Sequence, residues 1–190
     1  MIIGLVGNLG CGKDYITNNY LIPYLGKDRC QIISFADSIK VELMVHMNID
    51  FDKLFIKKDK DSRELLQVYG TDIMRRKHGN DIWIKYVDSW IKVHKFRKKD
   101  FFIIPDVRFQ NEADYIKKNN GILIKILAKD RNLDKINQEN LNKEVNHISE
   151  IGISKIECDL NLDNSKNNKD YVIKELMNFL VALDLLVLTH

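Results

Sequence analysis

The sequence predicts an α/β protein in which a five-stranded parallel sheet lies between two layers of helices. Three observations carry that prediction. Short apolar runs, Ile2–Val6, Phe101–Ile104 and Ile122–Leu127, have the composition of strands buried on both faces. Stretches of helical periodicity separate them, and alternating strands and helices require crossover connections and hence a parallel sheet. The first run also passes directly into a glycine-rich turn and a helix. That places a ligand-ready loop at the carboxyl end of a strand, where open parallel sheets bind their ligands.

Composition narrows the classes. The 190 residues are 45% hydrophobic, which suits one compact domain over 1–190. The net charge is only +3, with 30% of residues charged. A stable nucleic-acid partner is therefore not expected, whereas a small anionic substrate is compatible with it. Cys11, Cys30 and Cys158 show no metal-ligand spacing and are odd in number, as reduced thiols in a cytoplasmic protein would be. Ile2–Val6 is too short for a signal sequence. The apolar tail over 176–188 is too short to span a bilayer and contains Asp184, so no membrane partner is expected.

Residues Gly7-Asn8-Leu9-Gly10-Cys11-Gly12-Lys13 match the phosphate-binding P-loop pattern G-x-x-x-x-G-K. Glycines let backbone N–H groups, including those of Gly7, Leu9, Gly10, Cys11 and Gly12, approach an anion without Cβ obstruction. The helix that follows adds unpaired N–H groups and the positive end of its dipole. Lys13 supplies a mobile cation. The next position, where Ser or Thr holds Mg²⁺ in the common pattern, is Asp14, followed by Tyr15.

A helix is expected over 14–24, with Ile16, Tyr20 and Leu21 toward the sheet and Pro23 and Gly26 ending it. A short strand follows at 31–35. Asp37 and Lys40 stand in the first turns of the next helix, whose apolar residues include Leu43, Val45 and Met47. Residues 48–61 are a charged connection. At about 100° per residue, the helix over 62–78 places Leu65, Leu66, Tyr69 and Ile73 on one side. Arg63, Gln67 and Gly70 fall on another, flanked by Thr71 and Arg75, with Arg76 nearer the apolar side. The helix over 81–94 carries Trp83, Tyr86, Val87, Trp90 and Ile91. Trp83 suits either core packing or stacking on a base.

The run at 101–104 ends in Pro105-Asp106-Val107-Arg108. An apolar strand ending in Asp beside a P-loop is the arrangement that orients Mg²⁺, although an Asp after a strand is also a common helix cap. A helix over 109–118, a strand over 122–127, a polar Asn-rich segment over 130–147, a fifth strand over 155–162 ending in Asp163-Asn164, and a closing helix over 171–188 complete the chain.

Taken in order, these segments resemble the deoxynucleoside monophosphate kinases of bacteriophages and large DNA viruses, within the P-loop nucleoside monophosphate kinase group. The resemblance rests on Gly10-x-Gly12-Lys13-Asp14, Ser34-Phe35-Ala36-Asp37-Ser38-Ile39-Lys40, and Arg63-x-x-Leu66-Gln67-x-x-Gly70-Thr71-x-x-x-Arg75. Asp81-x-Trp83, Asp106-Val107-Arg108-Phe109-x-Asn111-Glu112-Ala113, His147-x-Ser149-Glu150 and the segment from Asp159 to Asn164 extend it over nearly the whole chain. Asp after the P-loop Lys is frequent in that family. A Thr usually comes next, where this chain has Tyr15.

The resemblance implies a P-loop kinase fold with a helical acceptor-binding region over about 37–97 and a short lid over about 129–147. It implies viral deoxynucleotide biosynthesis, with transfer of the ATP γ-phosphoryl to a deoxynucleoside monophosphate. Gly7, Leu9, Gly10, Cys11, Gly12, Lys13, Asp14, Tyr15, Arg131 and Asn164 would bind ATP, and Asp14 and Asp106 would organise Mg²⁺. Lys13, Arg63, Arg75, Arg108 and Asp106 would be catalytic. Asp37, Lys40, Arg63, Gln67, Gly70, Arg75, Trp83, Arg108 and Glu112 would serve the acceptor. Partners would be small nucleotides, and a homodimer through the tail helix or the Trp-bearing helix is compatible. Two other readings stay open: a kinase of another phosphorylated acceptor, such as phosphomevalonate or dephospho-coenzyme A, and a nucleotide-binding module without catalysis.

Overall fold

The structure is a computed structural model that describes residues 1–57, 59–128, 152–165 and 169–184. In chain order its elements are β1 (Ile2–Val6), α1 (Lys13–Ile16), α2 (Ile22–Leu25), β2 (Cys30–Ile32), α3 (Phe35–Met47), α4 (Lys60–Gln67), α5 (Arg76–His78), α6 (Ile82–Phe96), β3 (Phe101–Val107), α7 (Gln110–Lys118), β4 (Ile122–Leu127), β5 (Leu160–Asp163) and α8 (Lys169–Ala182). Among the described residues, wide π-helical stretches occupy Thr17–Leu21, Asp52–Lys57 and Val68–Arg75. The chain divides into two compact units, Met1–Ile32 with His94–His190, and Ile33–Val93.

The first unit holds the sheet, in the order β2-β3-β1-β4-β5 with every pair parallel. Alternate side chains of a strand point to opposite faces, so each strand feeds two helical layers. Ile3, Leu5, Phe101, Ile103, Ile124 and Ile126 share one apolar cluster with Ile16, Leu21 and Leu25, and with Val172, Leu176 and Leu180 of α8. The intervening positions face α7: a Cβ on Gly4 would come within 2.6 Å of Ile116 Cδ1. The expected three-layer α/β/α fold with five parallel strands is therefore present. The helices after β1 lie on one face and the helix after β3 lies on the other. The neighbouring strands β1 and β3 thus send their loops apart, which opens a crevice at their carboxyl ends.

Several boundaries differ from expectation for physical reasons. Pairing of β2 stops at Ile32 opposite Ile103, and the chain turns into α3 at Phe35. Strand β3 continues through Pro105 and Asp106, which together stand opposite Leu5, because Gly4 pairs with Ile104 and Val6 with Val107. A register irregularity of this kind admits a proline, which has no N–H to give. The fifth strand is shorter than expected, since Gly152–Lys155 forms a 3₁₀ turn and Lys125 Nζ donates to the Ile156 carbonyl at 2.5 Å. Asp159 ties the start of β5 to its neighbours, its carboxylate accepting from Leu123 N–H at 2.7 Å and from the Lys117 ammonium. Partial burial opposes its charge, but these two donors prevail and hold its carboxyl below the usual range.

The second unit is helical and buries Phe35, Leu43, Leu54, Tyr69, Trp83 and Val87. Of the three apolar residues expected on α3, only Leu43 is buried. Val45, two residues beyond Leu43, falls on the opposite side and is exposed, and Met47 is exposed as the last residue of α3. The stretch Val68–Arg75 corrects the helical wheel. A π turn closes i to i+5 bonds and holds more residues than an α turn, so a wheel drawn at α spacing loses phase there. Ile73, expected on the apolar side, is 48% exposed, and Arg75 is 7% exposed. Arg76, expected near the apolar side, is exposed. Trp83 is 1% exposed, its ring 5.6 Å from that of Tyr86 and its indole N–H donating to the Gly70 carbonyl at 2.8 Å. No ring face is left for a base, which decides Trp83 in favour of packing.

Two outcomes follow. Trp83→Phe removes the indole donor from the Gly70 carbonyl and leaves space in a buried site, and chemical unfolding should show a loss of about 1–3 kcal/mol. The carboxyl of Asp159 is depressed in the folded state, so its contribution is present above its unfolded pKa of about 3.9 and is lost as pH falls through the lower folded value. Urea unfolding at pH 5 and pH 3 should therefore show a smaller acid loss in Asp159→Asn than in the parent chain.

Candidate functional site

The crevice between β1 and β3 is lined on one side by residues 7–13. Gly12 sits at φ 98 and ψ 21 as the cap of α1, a left-handed conformation that glycine takes without strain. A Cβ on Gly7 would stand 2.5 Å from the Ile126 carbonyl oxygen and 2.7 Å from Cys11 Sγ, so the loop fits only with hydrogen there. Lys13 Nζ folds onto the loop, donating to the carbonyls of Gly7 and Asn8 and lying 3.7 Å from Cys11 Sγ. An ammonium on neutral carbonyls gains stronger charge-assisted bonds when phosphate oxygens replace them.

Cys11 is buried, and its carbonyl accepts from Asn164 Nδ2 at 2.9 Å. Asn164 is itself buried, and its N–H donates to the Leu127 carbonyl at 2.7 Å. This residue, expected beside ATP, thus braces the loop from the end of β5. Leu9, Gly10 and Asp14 are exposed. Tyr15 is 45% exposed, edge-on to Tyr20 at 5.7 Å, with the Lys169 ammonium 5.8 Å from its ring centre. The Tyr20 hydroxyl donates to that of Tyr15, and this bond pushes the Tyr20 pKa up to about 12. Tyr24 stacks on Tyr20 at 6.3 Å. Thr17 does not stand in for the missing hydroxyl at position 15, because its Oγ1 is buried and, among the described residues, without a hydrogen-bond partner.

On the other side of the crevice, Asp106 stands beside the end of β1 through the pairing of Val107 with Val6. Arg108 follows in the loop to α7. Glu112, only 2% exposed, accepts on Oε2 from the N–H groups of Arg108 at 2.8 Å and Phe109 at 3.1 Å. It is the third-position carboxylate of a capping box and fixes the backbone that carries Arg108. Phe109 has no side-chain acceptor to reciprocate, so only the carboxylate half of the box is present and the sequence lacks its usual Ser/Thr-x-x-Glu signature.

Within the helical unit, Lys40 Nζ pairs with Asp37 at 2.7 Å and lies 4.3 Å over the Phe55 ring. Arg63 is exposed and Gln67 partly buried. Gly70 presents its carbonyl to Trp83, and Arg75 donates to the Asn80 carbonyl at 2.6 Å, closing the turn after α5. The structure therefore brings together Gly7–Lys13, Asp106, Arg108, Glu112 and Asn164 in one unit, and pairs Asp37 with Lys40 and Gly70 with Trp83 in the other. Arg131, the expected lid over 129–147, and His147, Ser149 and Glu150 lie outside the described residues.

Among the described residues no cluster of three or more His, Cys, Asp or Glu forms a ready-made cation cage. Magnesium in phosphoryl transfer is instead held by one or two carboxylates plus substrate phosphates, and the donor set here fits that chemistry. Among those residues, too, no helix is long and apolar enough to cross a membrane.

Comparison with known proteins agrees with this geometry. Residues 5–121 match the family model described as phosphomevalonate kinase. A protein of Acanthamoeba polyphaga mimivirus named "Putative deoxynucleotide monophosphate kinase" is 31% identical over 145 residues, covering 66% of this chain and 73% of that protein. The crystal structure of TT1252 from Thermus thermophilus superposes with a TM-score of 0.59 at 16% identity, over 100% of this chain and 98% of that one, and shares the fold. The chain is a kinase-type phosphotransferase that belongs to the P-loop kinase family described by the phosphomevalonate kinase model and to the deoxynucleoside monophosphate kinases of the bacteriophage and large DNA virus type.

Proposed function

We propose that the protein transfers the γ-phosphoryl group of ATP to a deoxynucleoside monophosphate and releases ADP and the deoxynucleoside diphosphate. The observation that carries this reading is the pairing of a cation-bearing phosphate loop with Arg108 at the neighbouring strand end, in a chain similar to the mimivirus protein. The acceptor phosphate is already ionised, so no general base is needed. An acceptor oxygen attacks the γ-phosphorus as the bond to the β–γ bridging oxygen breaks, and the departing electrons remain on ADP.

Catalysis of this step is positioning and charge neutralisation. Lys13 and the amides of residues 7–15 hold the donor phosphates. Asp14 and Asp106 would hold Mg²⁺, which would supply positive charge against the donor phosphates. Arg108 offers a planar cationic fork to the transferring group. Residues 37–97 serve the acceptor: Arg63 and Arg75 through its phosphate, Gln67 through a base or sugar edge, Asp37 and Lys40 as a preset ion pair, and Trp83 by holding the Gly70 backbone. Asn164 serves the donor by fixing the loop, with Tyr15 beside it. Arg131 acts from the lid at 129–147.

A second reading, phosphomevalonate as acceptor, is favoured by the description of the matching family model. A coupled assay with ATP, Mg²⁺ and parallel panels of dNMPs and phosphomevalonate separates the two, and ADP release with dNMPs alone is the expected result. ADP release with phosphomevalonate alone would replace the proposal. Lys13→Ala should lower kcat by about 10³-fold or more while cooperative melting is retained, since its half-buried side chain bonds only within the loop and lies outside the apolar cluster under the sheet. Arg63→Ala should raise the acceptor KM about tenfold while ATP affinity stays the same, and steady-state kinetics with each substrate varied in turn checks it.

A further inference from the structure

Arg108 follows a strand end and precedes a helix, a loop position where small backbone shifts move a guanidinium by several ångströms. Its peptide is held from two directions. On one side, the buried Glu112 Oε2 accepts the Arg108 N–H at 2.8 Å and, from the same peptide as the Arg108 carbonyl, the Phe109 N–H at 3.1 Å. On the other, Gly152 lies against the Arg108 carbonyl. A Cβ built on Gly152 would stand 2.9 Å from the Arg108 carbonyl oxygen, closer than real Cβ atoms approach backbone. That oxygen belongs to the main chain and cannot swing aside as a long side chain would. Gly152 opens the 3₁₀ turn Gly152–Lys155, which is anchored in its own right. Ile153 and Ile156 are buried, and Lys125 Nζ binds the Ile156 carbonyl. The Gly152 side of the contact therefore does not retreat easily either.

We infer that Gly152 is a positioning residue for Arg108: its missing side chain lets the chain that re-enters the sheet press against the Arg108 peptide, and together with Glu112 this sets where the guanidinium points. The inference rests on the proposed role of Arg108 only for its kinetic consequence. The positional claim can be read separately. Any side chain at position 152 pushes the Arg108 carbonyl away and rotates the peptide that Glu112 grips. Glycine there is a requirement of close approach and not of backbone conformation.

The test uses the full chain and follows Arg108 directly. Phenylglyoxal modifies accessible guanidinium groups, and peptide mass spectrometry gives the rate at each arginine. In Gly152→Ala the modification rate of Arg108 should change at least threefold, with Arg63 unchanged as internal control. The same variant should lose about 10–100-fold in kcat with little change in the KM for ATP, the scale expected when a catalytic group is displaced by about 1 Å. In an Arg108→Ala background Gly152→Ala should cost less than twofold more, because the group it positions is gone. If Gly152→Ala does not melt cooperatively, Glu112→Gln reports on the other side of the peptide and should also alter Arg108 reactivity. Wild-type Arg108 reactivity in a folded Gly152→Ala chain overturns the inference, as does an equal further loss in the Arg108→Ala background. Altered reactivity with full activity in Arg108→Ala would uphold the positioning and remove Arg108 from the proposed mechanism.

Discussion

Strand Ile2–Val6 is hydrogen-bonded to a parallel partner on each side, and none of its side chains reaches water. A strand in that position cannot shift by one residue without exchanging its two faces, so it fixes the register of β3 and β4 together. The loop that leaves it starts from a fixed point, and so does the loop that leaves β3. The backbone that carries Asp106 and the loop that leads to Lys13 are consequently placed by sheet pairing, and the Lys13 ammonium is then held on the Gly7 and Asn8 carbonyls. The helices after β1 and β3 depart to opposite faces, and the crevice between them is a consequence of topology.

Bracing of the crevice comes from uncharged or already satisfied groups. Asn164 holds Cys11 and Glu112 holds the backbone before α7, while at the opposite end of the sheet Asp159 ties the start of β5 to β4. Each uses a buried or partly buried polar group to fix main chain, and each satisfies backbone that the loops leave unpaired. Of the groups proposed to meet substrate, Asp14 and Arg63 are exposed, whereas Lys40 and Arg75 are buried against Asp37 and the Asn80 carbonyl.

The strands and the phosphate loop were legible because their signals are local. Continuous apolar runs cannot sit in water, and a glycine-rich turn ending in Lys between strand and helix has few other uses. The helical unit was less legible. A wheel at α spacing placed Ile73 inside and Arg76 toward the core, whereas the π stretch turned Ile73 outward and buried Arg75. No residue type announces a π turn. Trp83 was balanced between packing and stacking because its sequence context is the same for both, and only the position of the Gly70 carbonyl decided it. Asn164 was expected to contact ATP, and the structure spends its amide donor on the Cys11 carbonyl. Partners 153 residues apart in the chain cannot be paired from periodicity.

The choice of an amide at position 164 also shapes the field at the loop mouth. A carboxylate there would be a nearby negative charge, opposing the approach of any anion and competing with it for Lys13. An amide donates the needed hydrogen bond with no net charge, so the loop keeps its positive potential. The support of the loop is then indifferent to ionic strength, while the attraction it exerts on a phosphate is screened by salt. Fold and affinity at this corner of the molecule therefore answer to different solution conditions.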